Sequence, residues 1–296
     1  MRSKEKIEVL SCAAGKKFET YHGDGSSTPW LDNDKLLQQS LERNQWIRWD
    51  GAVGTAQEHM AWMKAQAQSF MSDERHAEFR PYGKRKGVQY YIHDEMTARG
   101  NGYGFFKLVG TFDFEPKDFI ACMFDYRLIV EMDETVVLMK TLQTYTQEQK
   151  GHNPFVTMCY WCNAPGFPFQ YRDGLDMSGY LLDGGDDGTL WQLSTTIRSE
   201  EFQSHPNATA ATNRYWAYKL EPVLEYCDET KSDRIRTRTT LVCQTQLNGC
   251  IPKFLSNYML CSVLIDYMAA TEEIIHKNKK RGKHAALLKE LQLSDL

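Results

Sequence analysis

The sequence predicts an α+β domain in which helices come first, an antiparallel sheet follows, and a long apolar helix closes the chain. Three observations predict it. Between about Val88 and Gln246 the chain runs through extended segments rich in Val, Tyr, Phe, Trp and Thr, separated by turn clusters, as in a meandering antiparallel sheet. Ahead of them, Gln57 to Met71 spaces Met60, Met63, Ala67 and Phe70 at three- and four-residue intervals, the period of an amphipathic helix. Behind them, only Lys253, Ser256, Asn257, Ser262 and Asp266 are polar in the stretch from Ile251 to Ala270, a pattern too apolar for a one-sided surface helix.

The elements follow in order. Residues 1–32 mix charge, Gly and Ser without a period and read as an extension. Asn33 can cap a short helix running to about Arg43, and the Gln57 helix comes next. Strands are expected over Val88 to His93, Gly104 to Phe114, Val136 to Thr146, Phe155 to Cys162, Phe169 to Leu181, Thr189 to Arg198, Tyr215 to Tyr226 and Arg234 to Gln246. One helix interrupts them, from Pro116 to about Glu131, with the proline in the first turn where its missing N–H costs nothing. The closing helix runs from about Pro252 to His276 and must be covered on several sides. If a curved sheet grips one face of it, either tight core packing or a bound apolar molecule fills the space between. The chain divides into an N-terminal extension with a short helix (1–55), the main domain (56–277) and a basic C-terminal tail (278–296).

Composition narrows the function. With 35 Lys and Arg against 39 Asp and Glu, the formal charge is −4, lacking the basic excess that phosphate backbones require, so nucleic acid is not an expected partner. The apolar stretch from Ile251 is interrupted by Lys253, Asn257 and Asp266, and is not expected to span a membrane. The charged first residues do not make a secretory signal, so a cytoplasmic, reducing compartment is expected, with the cysteines as buried free thiols. No catalytic residues, metal or cofactor are expected. Cys159 and Cys162 have redox spacing but lie in a strand, where residues three apart point to opposite faces. The glycines at 100, 102 and 104 precede a strand and not a helix, and no metalloprotease or serine-hydrolase motif occurs.

Several strings, in their order and spacing, resemble the START (steroidogenic acute regulatory protein-related lipid transfer) domain family over roughly Ala56 to Lys277. They are Phe106 to Phe112 (FKLVGTF), the Met132 and Asp133 step where the family has Trp-Asp, Asn163 to Asp173 (NAPGFPFQYRD), Tyr215 to Pro222 (YWAYKLEP) and Thr239 to Asn257 (TTLVCQTQLNGCIPKFLSN). The resemblance implies a helix-grip fold, a curved antiparallel sheet wrapped around the long C-terminal helix and enclosing a lipid tunnel. It implies non-enzymatic binding of a single lipid and its transfer between membranes, with a transient membrane surface as the second partner. Two other functions remain open: an enzyme of the polyketide cyclase/lyase type using the same cavity, or a lipid sensor acting through a protein partner.

The resemblance also carries site expectations. In phosphatidylcholine-type members an arginine and an acid four residues later meet the headgroup; Arg127 with Glu131, or with Asp133 in the alternative alignment, fits, which favours phospholipid slightly over sterol. The other reading of Arg127 and Glu131 is an exposed ion pair. Sterol-type members bury an acid and an arginine where this chain has Leu138 and Ser178, so the usual sterol anchor is missing. Arg172 and Asp173 match the family motif, or pair with each other at a strand start. Leu255, Tyr258, Met259 and Ser262 of the closing helix are expected to line the tunnel. Pro165, Phe167 and Phe169 lie on the loop expected to gate the tunnel at a membrane; the alternative is that they fold onto the helix. The basic run Lys277 to His284 either attracts an anionic bilayer or complements the helix dipole.

Overall fold

The computed structural model describes residues 34–133, 135–146, 152, 154–164, 169–183, 185, 187–198, 204–205, 207–227, 231–291 and 293–294. Of the expected gate, Pro165 and Phe167 lie outside the described residues.

Helix α1 (Lys35–Arg43) is capped by Asp34, whose side chain accepts the Leu37 N–H, one residue later than expected. After the short pair β1 (Trp46–Ile47) and β2 (Val53–Gly54), helix α2 (Ala56–Met71) starts at a reciprocal cap between Thr55 and Glu58. Its Met60, Met63, Ala67 and Phe70 are all buried, as their spacing predicts.

The main sheet comprises β3 (Arg80–Arg85), β4 (Val88–Ile92), β5 (Phe106–Phe112), β6 (Val136–Thr146), β7 (Phe155–Asn163), β8 (Tyr171–Leu182), β9 (Leu190–Thr196), β10 (Ala208–Ala210), β11 (Thr212–Cys227) and β12 (Ser232–Gln246). Its order is β3-β4-β5-β12-β11-β9-β8-β7-β6, antiparallel throughout, and β10 adds a parallel pairing to β8. Several short elements lack a sequence expectation. Strand β3 carries Pro81, Gly83 and three cations, a composition tolerated because it is an exposed edge. A 3₁₀ turn, Asp73–Glu78, and helix α3 (Asp94–Arg99) are too short to show a period.

The expected helix from Pro116 to Glu131 is two: α4 (Pro116–Phe124) and α5 (Tyr126–Met132). Asp125 separates them in extended conformation, and its carboxylate caps the Arg127 N–H at 2.9 Å. This local side-chain bond competes with helix continuation.

The closing helix α6 spans Lys253–Lys280, longer than expected, because the basic run continues it. It is followed by α7 (His284–Glu290), and Leu287 and Leu293 are buried against the body. Lys277 pairs with Glu131 and Lys279 with Asp118, so part of the segment 278–296 is packed onto the domain.

Two cores lie on the two faces of the sheet. The outer one joins Trp46, Met60 and Met63 to Met158, Tyr160, Leu175, Met177, Trp191 and Leu193. The inner one joins Phe119 and Ile120 of α4 and Leu264, Ile265 and Met268 of α6 to Tyr180, Tyr218 and Leu241. The sheet therefore grips α6 on one side and is backed by α2 on the other, a helix-grip fold. Coverage of α6 is incomplete, however. The sheet contacts the side carrying Cys261, Leu264 and Ile265, and leaves Phe254 78% and Tyr258 69% exposed near the helix start.

Candidate lipid cavity and its comparisons

Strand alternation creates the site. On the inner face, alternate residues of β6 to β9 look across a cavity of about 490 Å³ towards α6. That is within the range of about 300–1,000 Å³ typical of small-molecule pockets. The lining is mostly apolar: Met123, Ile129, Val136, Met139 and Trp161 from one side, and Leu260, Val263, Leu264 and Tyr267 from α6. Gly174 is needed here, because a Cβ on it would meet the Trp161 ring at 2.8 Å on the paired strand.

A polar group sits on the floor of the cavity. Asp176, Ser178, Gln192 and Ser194 line it from adjacent strands, where Ser178 is paired directly opposite Ser194. Asp176 is buried. It accepts hydrogen bonds from Thr196 Oγ1 and Asn213 Nδ2, each at 2.6 Å, and from Ser194 Oγ at 3.4 Å. Burial pushes its pKa above the usual carboxylate range despite those bonds, which act the other way. Asn213 in turn accepts from Thr245 Oγ1 at 2.6 Å, closing the network.

Arg172 also reaches the lining and is only 3% exposed. Its guanidinium donates to four main-chain carbonyls, those of Leu247 (2.5 Å), Gln170 (2.7 Å), Tyr171 (3.2 Å) and Asn248 (3.2 Å). It does not pair with Asp173, because neighbours on a strand point to opposite faces. Asp173 faces the outer core, where it accepts from Tyr160 Oη (2.9 Å) and the His205 amide (2.8 Å). Arg172 instead pins the turn before α6, in which Gly249 adopts φ +65°.

The other expected residues separate. Asp133 lines the cavity, its carboxylate receiving the Thr135 amide and hydroxyl at 2.9 and 2.7 Å. Arg127 and Glu131 do not line it. Arg127 is 75% exposed and pairs with Asp125 at 2.7 Å, while Glu131 pairs with Lys277. Tyr258, Met259 and Ser262 line the cavity, and Ser262 also accepts from Arg85. Leu255 is half-buried outside the lining, and Phe169 is half-buried too. Leu138 is buried in the outer core, so the cavity wall of β6 is Met139 and Val136. An irregularity in the β6 register between Val136 and Leu138 sets which residues face inward.

Sequence reasoning missed Asp176, Gln192 and Asn213. Their one signal is a polar residue alternating with an apolar one inside a strand, which reads as a solvent face. Cys159 lines the cavity while Cys162 lies in the outer core, so the two thiols point apart. Burial raises the pKa of both, which keeps them protonated and poor nucleophiles or metal ligands. Among the described residues no three His, Cys, Asp or Glu side chains cluster as a metal site would need, and no helix is long and apolar enough to cross a membrane.

No protein-family model and no curated protein matches the sequence. Solved structures do match. Human StAR-related lipid transfer protein 5 superposes with a TM-score of 0.60 at 14% identity, over 75% of this chain and 97% of that one. Human STARD10 gives 0.54 at 13% identity, over 79% and 88%. The lipid transfer and protein localization domain of human StarD13 gives 0.51 at 15% identity, over 72% and 95%. The chain thus has the fold of StAR-related lipid transfer domains, the helix-grip fold.

Proposed function

We propose that the protein binds one lipid in the cavity between the sheet and α6 and carries it between membranes without changing it chemically. The observation that carries this reading is the apolar cavity of about 490 Å³ between the sheet and α6, in a chain with the fold of human StAR-related lipid transfer protein 5. Burying acyl chains there is favourable by about 0.8 kcal/mol per CH₂. A carrier is favoured over an enzyme because the cavity carboxyls are already engaged by hydrogen bonds and the Cys159 thiol in its lining is held protonated. Native mass spectrometry of the purified protein should find one lipid per chain. A protein that takes up no lipid of any class would sink the reading.

Transfer requires contact with a bilayer, and the exposed aromatics at the cavity mouth supply it. Tyr258 both lines the cavity and faces solvent, and Phe254 lies one helical turn before it. The protein is then a cytoplasmic one that touches membranes transiently. Phe254→Asp is expected to slow vesicle-to-vesicle transfer at least tenfold, since a charge in hydrocarbon costs about 3 kcal/mol. Equilibrium occupancy should change little. An unchanged transfer rate in the folded variant would move the contact elsewhere on the surface. The initial preference for phospholipid rested on Arg127, whose surface position lends it no support.

A further inference from the structure

The polar floor of the cavity carries information about the headgroup, given the lipid-carrying reading on which the following rests. Gln192 is buried, and its Nε2 donates to Ser178 Oγ at 3.1 Å and to the Leu193 carbonyl at 3.4 Å. A carbonyl cannot donate, so the second contact fixes which way the amide points. Its Oε1 is then left buried without a partner among the described residues. The Ser178 hydroxyl has accepted from Gln192 and has no second partner among the described residues, so its proton is available to the cavity. One wall thus offers a donor beside an unused acceptor.

Leaving a buried acceptor unpaired costs about 1–3 kcal/mol, which a ligand donor would recover. The surrounding charge restricts that ligand. Asp133 and Asp176 both line the cavity, and among the described residues its only basic lining group is Arg172, whose guanidinium already serves four carbonyls. A phosphodiester has acceptors only and would sit near two carboxyls. A hydroxyl or amide N–H supplies what Gln192 lacks, and the oxygen beside it can accept from Ser178.

We propose that Ser178 and Gln192 clamp the head of an uncharged lipid bearing a hydroxyl or amide, and that the cavity discriminates against lipids whose head is a phosphate. The test uses two lipids with the same acyl chains, dioctanoylglycerol and dioctanoyl phosphatidic acid, each displacing a pyrenyl alkane from the full-length protein. Dioctanoylglycerol should bind at least about tenfold more tightly. Gln192→Leu should lower its affinity, relative to that for the pyrenyl alkane, by about tenfold, the effect of losing one buried hydrogen bond. Ser178→Ala, a smaller change, should lower it several-fold relative to the affinity for the pyrenyl alkane.

Phosphatidic acid binding as well as dioctanoylglycerol would overturn the proposal and leave the cavity reading intact. An equal loss of alkane binding in Gln192→Leu would overturn it too, by assigning Gln192 to packing. Failure of the wild-type protein to take up even the pyrenyl alkane would overturn the lipid-carrying reading itself, and this inference with it.

Discussion

Arg172→Leu is expected to lower the stability of the lipid-free protein by about 3–5 kcal/mol, because it orphans acceptors at a buried strand start. The guanidinium holds the carbonyls of Gln170, Tyr171, Leu247 and Asn248, and leucine offers them nothing. For a chain of this size the midpoint of thermal unfolding should fall by roughly 10 °C. Arg172→Lys is the informative control. A single ammonium has three donors at one point and cannot span carbonyls arranged around a planar fork, so it should recover less than half of the loss. Were Arg172 chiefly a lipid-headgroup ligand, the lipid-free variants would melt like the wild type and differ only when loaded. Scanning calorimetry with and without lipid separates the two outcomes.

Asp118→Ala is expected to cost about 3 kcal/mol, and the loss should depend on pH. Asp118, 1% exposed, joins three elements: it accepts from the Glu115 amide at 2.9 Å, Lys279 Nζ at 2.6 Å and His284 Nε2 at 2.7 Å. Burial alone would raise its pKa, but His284, Lys279 and the Glu115 amide hold it below the usual carboxylate value. A carboxyl depressed on folding contributes stability that is fully present above its unfolded pKa of about 4 and is lost as pH falls through the folded value. The gap in stability between wild type and Asp118→Asn should therefore close progressively as pH falls below about 4. Urea titrations across that range read it directly. A gap that stays constant down to pH 2 would mean that Asp118 contributes by packing and not by charge. Because Lys279 and His284 belong to the segment following the domain's expected end, the same experiment measures how firmly that segment is attached.

Much of the fold was legible because its signals are local. The boundaries of β6 match the expected ones, and those of β7 and β8 differ by a residue or two, since alternation and β-branched or aromatic content are properties of short windows. The break at Asp125 was not legible: it depends on one carboxylate choosing a backbone amide, in a window whose apolar pattern continues through it. Nor was the fate of Arg127. Helical spacing places it near Glu131, yet each pairs elsewhere, with Asp125 and Lys277, and the latter lies more than a hundred residues along the chain.

By itself the sequence determined the longer strands, that α2 has one apolar face, and that α6 is too apolar to lie open in water. Only the tertiary structure decided what the two faces of each strand meet. In β8 and β9, Leu175, Met177, Trp191 and Leu193 alternate with Asp176, Ser178, Gln192 and Ser194. Locally, that is a strand with one buried and one wet face. In the fold the apolar set packs toward α2, while the polar set turns inward under α6 and is buried as the floor of a cavity. Alternation fixes only that neighbouring side chains diverge; which face is covered depends on helices from opposite ends of the chain, and that information lies outside any strand's own residues.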